Sequence, residues 1–263
     1  MNIGRIWALI TRHLYLYQRS FARMLEVFYW PLVDLVVWGF ITIYLAREGN
    51  SLHGAVVFFL GALILWDVLF RAQQGIAISF LEEMWARNLM NLFASPLTVG
   101  EYLVASMTMS ILKVLVVSAV MVSMAWLFYA YDIFLLGVSL IPFMVNLVMV
   151  GWTIGILTTS IIMRFGQQAE VLAWGMVFLF QPISCVFYPM EVLPGWLQTI
   201  AWANPATHVF EGMRTILLQG TVPWNNLLWS CLLNIGYLLV MIAWFHHTFN
   251  VCKDRGLLVR VGE

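Results

Sequence analysis

Apolar residues fall in six long blocks along this chain, separated by short polar stretches, and block length alone narrows the fold. A helix needs about 20 apolar residues to cross a bilayer. The blocks at 26–45, 56–78, 99–127, 133–162, 169–188 and 227–249 each meet that length. Strands of an outer-membrane barrel are about half as long and alternate in polarity. The pattern therefore predicts six transmembrane helices and an all-α integral membrane fold, in one transmembrane domain over 1–263. The stretches Gly49 to Gly54 and Gly220 to Pro223 read as turns, and there is no internal repeat.

The polar stretches between blocks carry patterns of their own. In 79–102, Leu81, Met84, Trp85, Leu89, Leu92 and Phe93 make one helical stripe, with Glu82, Glu83, Arg87 and Asn91 elsewhere. That spacing predicts a short amphipathic helix over 81–93 lying on a membrane surface. Pro96 ends it, and Thr98 with Glu101 offers a capping box that starts the next block. Over 1–25, Arg5, Arg12 and Arg19 recur at heptad spacing with Arg23 following, opposite Ile6, Trp7, Ile10 and Leu14. This predicts an interfacial helix whose arginines face lipid phosphates or water. Between the last two blocks, 189–224 holds Pro194 and Gly195 at a helix start, an interruption at Asn204-Pro205, and Thr207 as the cap of a second short helix. Two half-buried helices joined this way predict a re-entrant hairpin, which a membrane tolerates only against protein or a watery cavity.

Composition agrees with the block pattern. Hydrophobic residues make up 62% and charged residues 10%, where soluble proteins carry roughly a quarter charged. The formal net charge is zero, which gives no reason to expect a nucleic-acid partner. The placement of charge sets orientation: with a cytoplasmic N-terminus the inside gathers Arg5, Arg12, Arg19, Arg23, Arg87, Arg164, Lys253, Arg255 and Arg260, against Arg47 and Arg214 outside. Six crossings return the C-terminus to the cytoplasm. No cleavable signal is apparent, and Cys185, Cys231 and Cys252 show neither disulfide nor metal spacing.

The order of these features, with Leu92-Phe93-Ala94-Ser95-Pro96-Leu97 after the second block and Tyr188-Pro189, Leu193-Pro194-x-Trp196-Leu197, Asn204-Pro205 and Glu211 to Arg214 before the last, resembles the permease subunit of type-2 ABC exporters. The resemblance covers nearly the whole chain. It implies a bacterial inner-membrane protein, paired with a second copy or a similar permease, that exports an amphipathic or lipid-linked compound or a glycan. It also implies that the 81–93 helix, with Leu81, Glu82, Glu83, Trp85, Arg87, Leu89 and Leu92, docks on a separate ABC ATPase. Pro194, Trp196, Asn204, Pro205, Glu211 and Arg214 then belong to an outer gate. Lys113 and Lys253 are the only lysines and neither follows a glycine, so the chain has no Gly-Lys-Ser/Thr phosphate loop. Any ATP with its Mg²⁺ is expected on the partner, leaving this chain without cofactor, metal or catalytic residues.

Charges within the blocks need partners, since each costs about 2.5–3.5 kcal/mol at the bilayer centre. Asp67 and Arg71 stand in the favourable i, i+4 order; they read as a structural ion pair or as a cargo contact. Counting about 1.5 Å per residue puts Asp34, Asp67 and Lys113 at similar depths. Lys113 is thus expected to pair with one of the two aspartates, while Asp34 alternatively lines a path. Two other classes stay open: an intramembrane enzyme, although no His-Glu-x-x-His or Gly-x-Ser-x-Gly occurs, and a non-transporting multi-pass protein.

Overall fold

The structure is a computed structural model that describes residues 1–48 and 53–257, with backbone alone at 22, 26, 27, 45–48 and 53–57. Arg260 and most of the turn expected at Gly49 to Gly54 lie outside the described residues. Among the described residues, ten α-helices follow one another: α1 (Ile3–Gln18), α2 (Phe21–Glu48), α3 (His53–Trp85), α4 (Leu89–Ala94), α5 (Val99–Tyr129), α6 (Leu140–Phe165), α7 (Leu172–Phe180), α8 (Gly195–Trp202), α9 (Pro205–Gln219) and α10 (Trp224–Asp254). Among the described residues, four segments are long and apolar enough to cross a membrane: Arg23–Tyr44, Val99–Tyr129, Ile133–Ala169 and Trp224–Asp254.

The third block begins as expected. Thr98 Oγ1 accepts from Glu101 N at 3.3 Å and Glu101 Oε2 accepts from Thr98 N at 2.9 Å, a complete capping box. The fourth block does not start as α-helix: Ile133–Ser139 is a 3₁₀ turn with Gly137 at φ 56°, and α6 begins only at Leu140. Asp132 holds that turn by accepting from Phe134 N at 2.8 Å.

The fifth block departs further from the continuous span expected over 169–188. Helix α7 ends at Phe180, a 3₁₀ turn covers Pro182–Ser184, and Cys185 is left-handed at φ 53°. Pro182 supplies no N–H to continue the ladder. At about 1.5 Å per residue, α7 is far shorter than a hydrocarbon core of about 30 Å.

Helix α3 is the axis of the bundle. From Leu60 to Met84 nearly every residue is buried, beneath α5, α6 and α7. Its closest neighbour is α6, through glycines at i, i+4. A Cβ on Gly151 would lie 2.5 Å from Leu69 O, and one on Gly155 would lie 2.9 Å from Gln73 O. Small residues at this spacing let two membrane helices approach backbone to backbone. Two apolar clusters result, one around Leu65, Phe143 and Phe210 at the α9 end, the other around Phe80, Tyr102 and Phe245 at the α4 end.

Candidate functional site

At the α4 end, the single surface helix expected over 81–93 is two pieces. Helix α3 continues to Trp85, Arg87 turns left-handed at φ 53°, and α4 starts at Leu89. Glu83 shapes the break by accepting from Asn88 Nδ2 at 2.7 Å, while Asn88 N bonds the Glu83 carbonyl at 2.9 Å. Apart from Trp85, the apolar stripe faces inward on both pieces. Leu81 and Glu83 are fully buried, and Glu82 and Leu89 nearly so. Phe93 packs on Phe249 and Tyr102, with centroids at 4.6 and 5.8 Å. Of the residues expected to meet a partner, Trp85 and Arg87 are exposed, Leu92 is half-buried and the other four are interior. Met90 and Asn91, which the stripe argument passed over, complete the outer surface beside a groove of about 680 Å³.

The buried acids of α3 serve α1. Arg12 donates to Glu83 Oε1 at 2.5 Å, Arg23 Nε lies 3.4 Å from Glu82 Oε1, and Arg5 Nη1 lies 3.6 Å from Glu101 Oε2. Asn2 N donates to Glu101 Oε1 at 2.6 Å, and Arg5 also donates to Pro96 O. Of the four arginines expected to face lipid or water, Arg5 and Arg12 therefore hold α1 onto α5 and α3, Arg23 holds the start of α2 to α3, and Arg19 stays exposed. His13, buried between the acids, lies 3.7 Å from Glu82 Oε2 and 3.9 Å from Glu83 Oε1, both beyond hydrogen-bond reach. Burial pushes the Glu82 carboxyl up, but neighbouring His13, Lys113 and Arg23 outweigh it and hold it below the usual range.

Inside the bundle, Arg71 Nε donates to Asp67 Oδ1 at 3.2 Å and its Nη1 to Gln74 Oε1 at 3.0 Å, so the i, i+4 pair forms. The cation that acts on both Asp34 and Asp67 is Arg71. Lys113 instead lies over the Tyr17 ring, 4.7 Å from its centroid. Helix α1 brings the aromatic face of Tyr17 to the lysine, and α3 brings Glu82 near it. Asp34 is exposed on α2. Gln73, a residue that sequence reasoning did not select, donates to Ala173 O at 3.2 Å and ties α7 to α3.

At the opposite end, the outer residues form one device around the break after α7. Asn204, not Thr207, caps α9: its Oδ1 accepts from Ala206 N at 3.1 Å, with Pro205 at the first helical position. Thr207 lies three residues past the cap and instead donates to Ile183 O at 2.8 Å. Asn204 Nδ2 donates to Ser184 Oγ at 2.9 Å. Arg214 donates to the carbonyls of Cys185 and Val186 and to Glu211 Oε1, the last at 2.7 Å, and Glu211 accepts from Met190 N at 2.7 Å. Open carbonyls of the turn after α7, at Ile183, Cys185 and Val186, are thus met by side chains of α9. Pro194 and Trp196 open α8, and Trp196 is exposed. His208 Nε2 donates to Trp202 O at 2.8 Å and couples the two hairpin helices.

Among the described residues, no group of three His, Cys, Asp or Glu side chains is placed to hold a metal ion. A family model described as "ABC-2 type transporter" matches residues 5–218. No curated protein sequence matches the chain.

Proposed function

The chain belongs to the ABC-2 type transporter family, and from that membership we propose that it is the membrane half of an ATP-driven exporter. Two such permeases, two copies of this chain or this chain with a similar one, form a path for an amphipathic or lipid-linked compound or a glycan. The ATPase, with its ATP and Mg²⁺, is a separate polypeptide in this reading. The chain crosses the membrane six times, on α2, α3, α5, α6, the broken α7 segment and α10. The α4 end and both termini face the cytoplasm of a bacterial inner membrane. Helix α3 spans about 50 Å at 1.5 Å per residue, and its polar residues are covered by neighbouring helices, which is what crossing would require. Asp34, exposed on α2, then faces the second permease or the path.

The observation that carries the coupling assignment is the outward face at the α3–α4 break. Trp85 and Met90 are 45% and 53% exposed there, on backbone fixed by Glu83. Large apolar side chains held outward on a rigid turn suit a protein partner. The ATPase docks on Trp85, Arg87, Met90 and Asn91, and its movement reaches α1 through the Arg12–Glu83–Asn88 contacts.

Co-purification with the soluble ATPase encoded nearest to this chain tests the reading, comparing wild type with Trp85→Ala/Met90→Asp at matched yield and unfolding temperature. Binding by wild type that the variant loses is the expected result. Equal binding by both would remove the docking face, and no ATPase partner at all would favour the intramembrane-enzyme alternative.

A further inference from the structure

A partly open cavity of about 280 Å³ lies between α6, the end of α7, the joint of α8 and α9, and α10. Its wall is apolar except at Thr153, Asn204, Asn234 and Tyr237, and among the described residues that line it none is charged. The polar side chains direct their hydrogens at the protein. Tyr237 donates its hydroxyl to Ala203 O at 3.0 Å, Thr153 donates to Met149 O at 2.9 Å, and Asn204 Nδ2 donates to Ser184 Oγ at 2.9 Å. Asn234 Nδ2 donates to Asn146 O and Oδ1, at 3.1 and 2.9 Å. A group facing a backbone carbonyl has to be a donor, which fixes the orientation of the Asn234 amide and leaves Oδ1 as its remaining atom. Asn234 is fully buried, and its Oδ1 has no hydrogen-bond partner. The wall therefore carries one unmet acceptor in apolar surroundings, and the hydroxyl oxygens of Thr153 and Tyr237 can accept as well.

We propose that this cavity binds an uncharged amphiphile, an alkyl chain ending in a hydroxyl whose O–H donates to Asn234 Oδ1. Leaving a buried acceptor unmatched is unfavourable, and a ligand that brings one proton to it removes that cost. An anion would face acceptors here, and a cation would find no carboxylate in the wall. Asn234 stands ten residues after Trp224, the first of α10, in a helix long and apolar enough to cross a membrane. That is about 15 Å along the axis, half of a hydrocarbon core of about 30 Å, a depth at which a charged headgroup is costly. The volume equals about nine water molecules at ~30 Å³ each and lies just under the ~300 Å³ of the smallest usual ligand sites. It admits a chain of medium length and excludes a whole phospholipid. A bound chain would touch α6, α10 and the Asn204-Pro205 joint together, and so tie the hairpin to the bundle. This assignment concerns a site on the chain itself and does not depend on export.

Photolabelling of the purified full chain in detergent tests it, with labelled residues located by mass spectrometry. Two probes of equal length are compared, a diazirine-bearing octanol and the matching diazirine-bearing octane without the hydroxyl. Leu239, 64% exposed on α10, reports what each probe does at the lipid-facing surface. Measured against Leu239, the alcohol is expected to label Met241 and Ile183 of the cavity wall about tenfold more than the alkane, the size of one hydrogen bond to a buried acceptor. Unlabelled octanol should compete. Asn234→Leu should abolish the preference for the alcohol. Leu157→Trp fills the cavity with Asn234 left in place and should abolish labelling of Met241 and Ile183 by either probe. Should Asn234→Leu fold poorly, judged by unfolding temperature, the wild-type comparison and Leu157→Trp decide. Equal labelling of the cavity by the two probes would mean an apolar space in which Asn234 has no part, and no labelling there would leave water alone in it. Either result, or a preference that survives Asn234→Leu or Leu157→Trp, would overturn the proposal.

Discussion

Replacing Arg214 with Met tests the idea that α9 braces the break after α7. The guanidinium serves the carbonyls of Cys185 and Val186 and the Glu211 carboxylate, and its side chain is 10% exposed. Leaving a buried acceptor unmatched costs about 1–3 kcal/mol, and breaking a buried ion pair about 3–5 kcal/mol. Glu211 is 26% exposed at its side chain, so water recovers part of that charge. We expect a net loss near 3 kcal/mol for local closure, by the same principles. Cys185 is a reporter within the brace, since its thiol is fully buried. With the exposed Cys231 replaced by Ser, labelling of Cys185 by a small maleimide follows the local opening equilibrium. A 3 kcal/mol loss should speed labelling about a hundredfold. Arg214→Lys should recover only part, because one ammonium cannot match a planar fork serving three acceptors. Glu211→Gln and Arg214→Met share partners, so their effects should combine to less than their sum by about 1 kcal/mol or more. Labelling of Arg214→Met within about threefold of wild type, or full additivity of the pair, would refute the brace.

Four further outcomes follow from the same contacts. Arg12→Ala leaves the Glu83 carboxylate without its cation and should cost about 2–3 kcal/mol of α1 docking, read as increased proteolysis at the Gln18–Phe21 joint; Arg12→Ala/Glu83→Gln should recover about half of it. Gly151→Leu and Gly155→Leu force α6 off α3 and should each lower stability by about 3 kcal/mol or more in unfolding from detergent, whereas Gly175→Leu, with open space around it, should be near neutral. Leu89→Asp should unfold the α4 end while Met90→Asp should leave the fold intact, read by unfolding temperature. Burial holds the His208 imidazole below its ordinary value, against the opposing effects of the Trp202 carbonyl and Glu211. A depressed imidazole pKa means that the unfolded chain binds the proton first, so hairpin stability is full above about pH 6.5 and falls as pH drops below it; His208→Gln should flatten that pH dependence in the Cys185 labelling assay.

Helix placement was readable wherever a local signal was complete within a few residues. The Thr98–Glu101 box and the Asp67–Arg71 pair are of this kind, each spanning at most five positions, whereas Asn204-Pro205 read as an interruption and the cap went to Thr207 instead of Asn204. The fifth block misled because hydropathy is blind to what Pro182 does once Cys185 can turn left-handed against α9. Pro182 is readable, but the open carbonyls of the turn that follows it, Ile183 and Val186, are met by Thr207 and Arg214, more than 20 residues away. The 81–93 stripe was a true apolar face assigned to the wrong surroundings. Periodicity says which side chains share a side, and it cannot say whether that side meets lipid, a partner or the chain's own α1, α5 and α10. Gly151-x-x-x-Gly155 was a readable signal for the α3–α6 contact that the block pattern absorbed as ordinary apolar sequence.

The two ends of the bundle share one physical solution. At each, a long apolar element is interrupted, after Trp85 and after Phe180, and a left-handed residue without glycine's freedom stands at the interruption, Arg87 at one end and Cys185 at the other. Such a residue costs about 1–2 kcal/mol, and charged side chains that are themselves mostly buried offset it. Glu83 binds Asn88 while held by Arg12, and Arg214 binds the Cys185 carbonyl while held by Glu211. Each break thus depends on an ion pair whose second member belongs to a different helix or a separate turn of the same one. Removing the second member should loosen the break even though that residue does not touch the left-handed position. A continuous helix would need no such joints, so the two breaks, unlike the core between them, depend on these ion pairs for their closure.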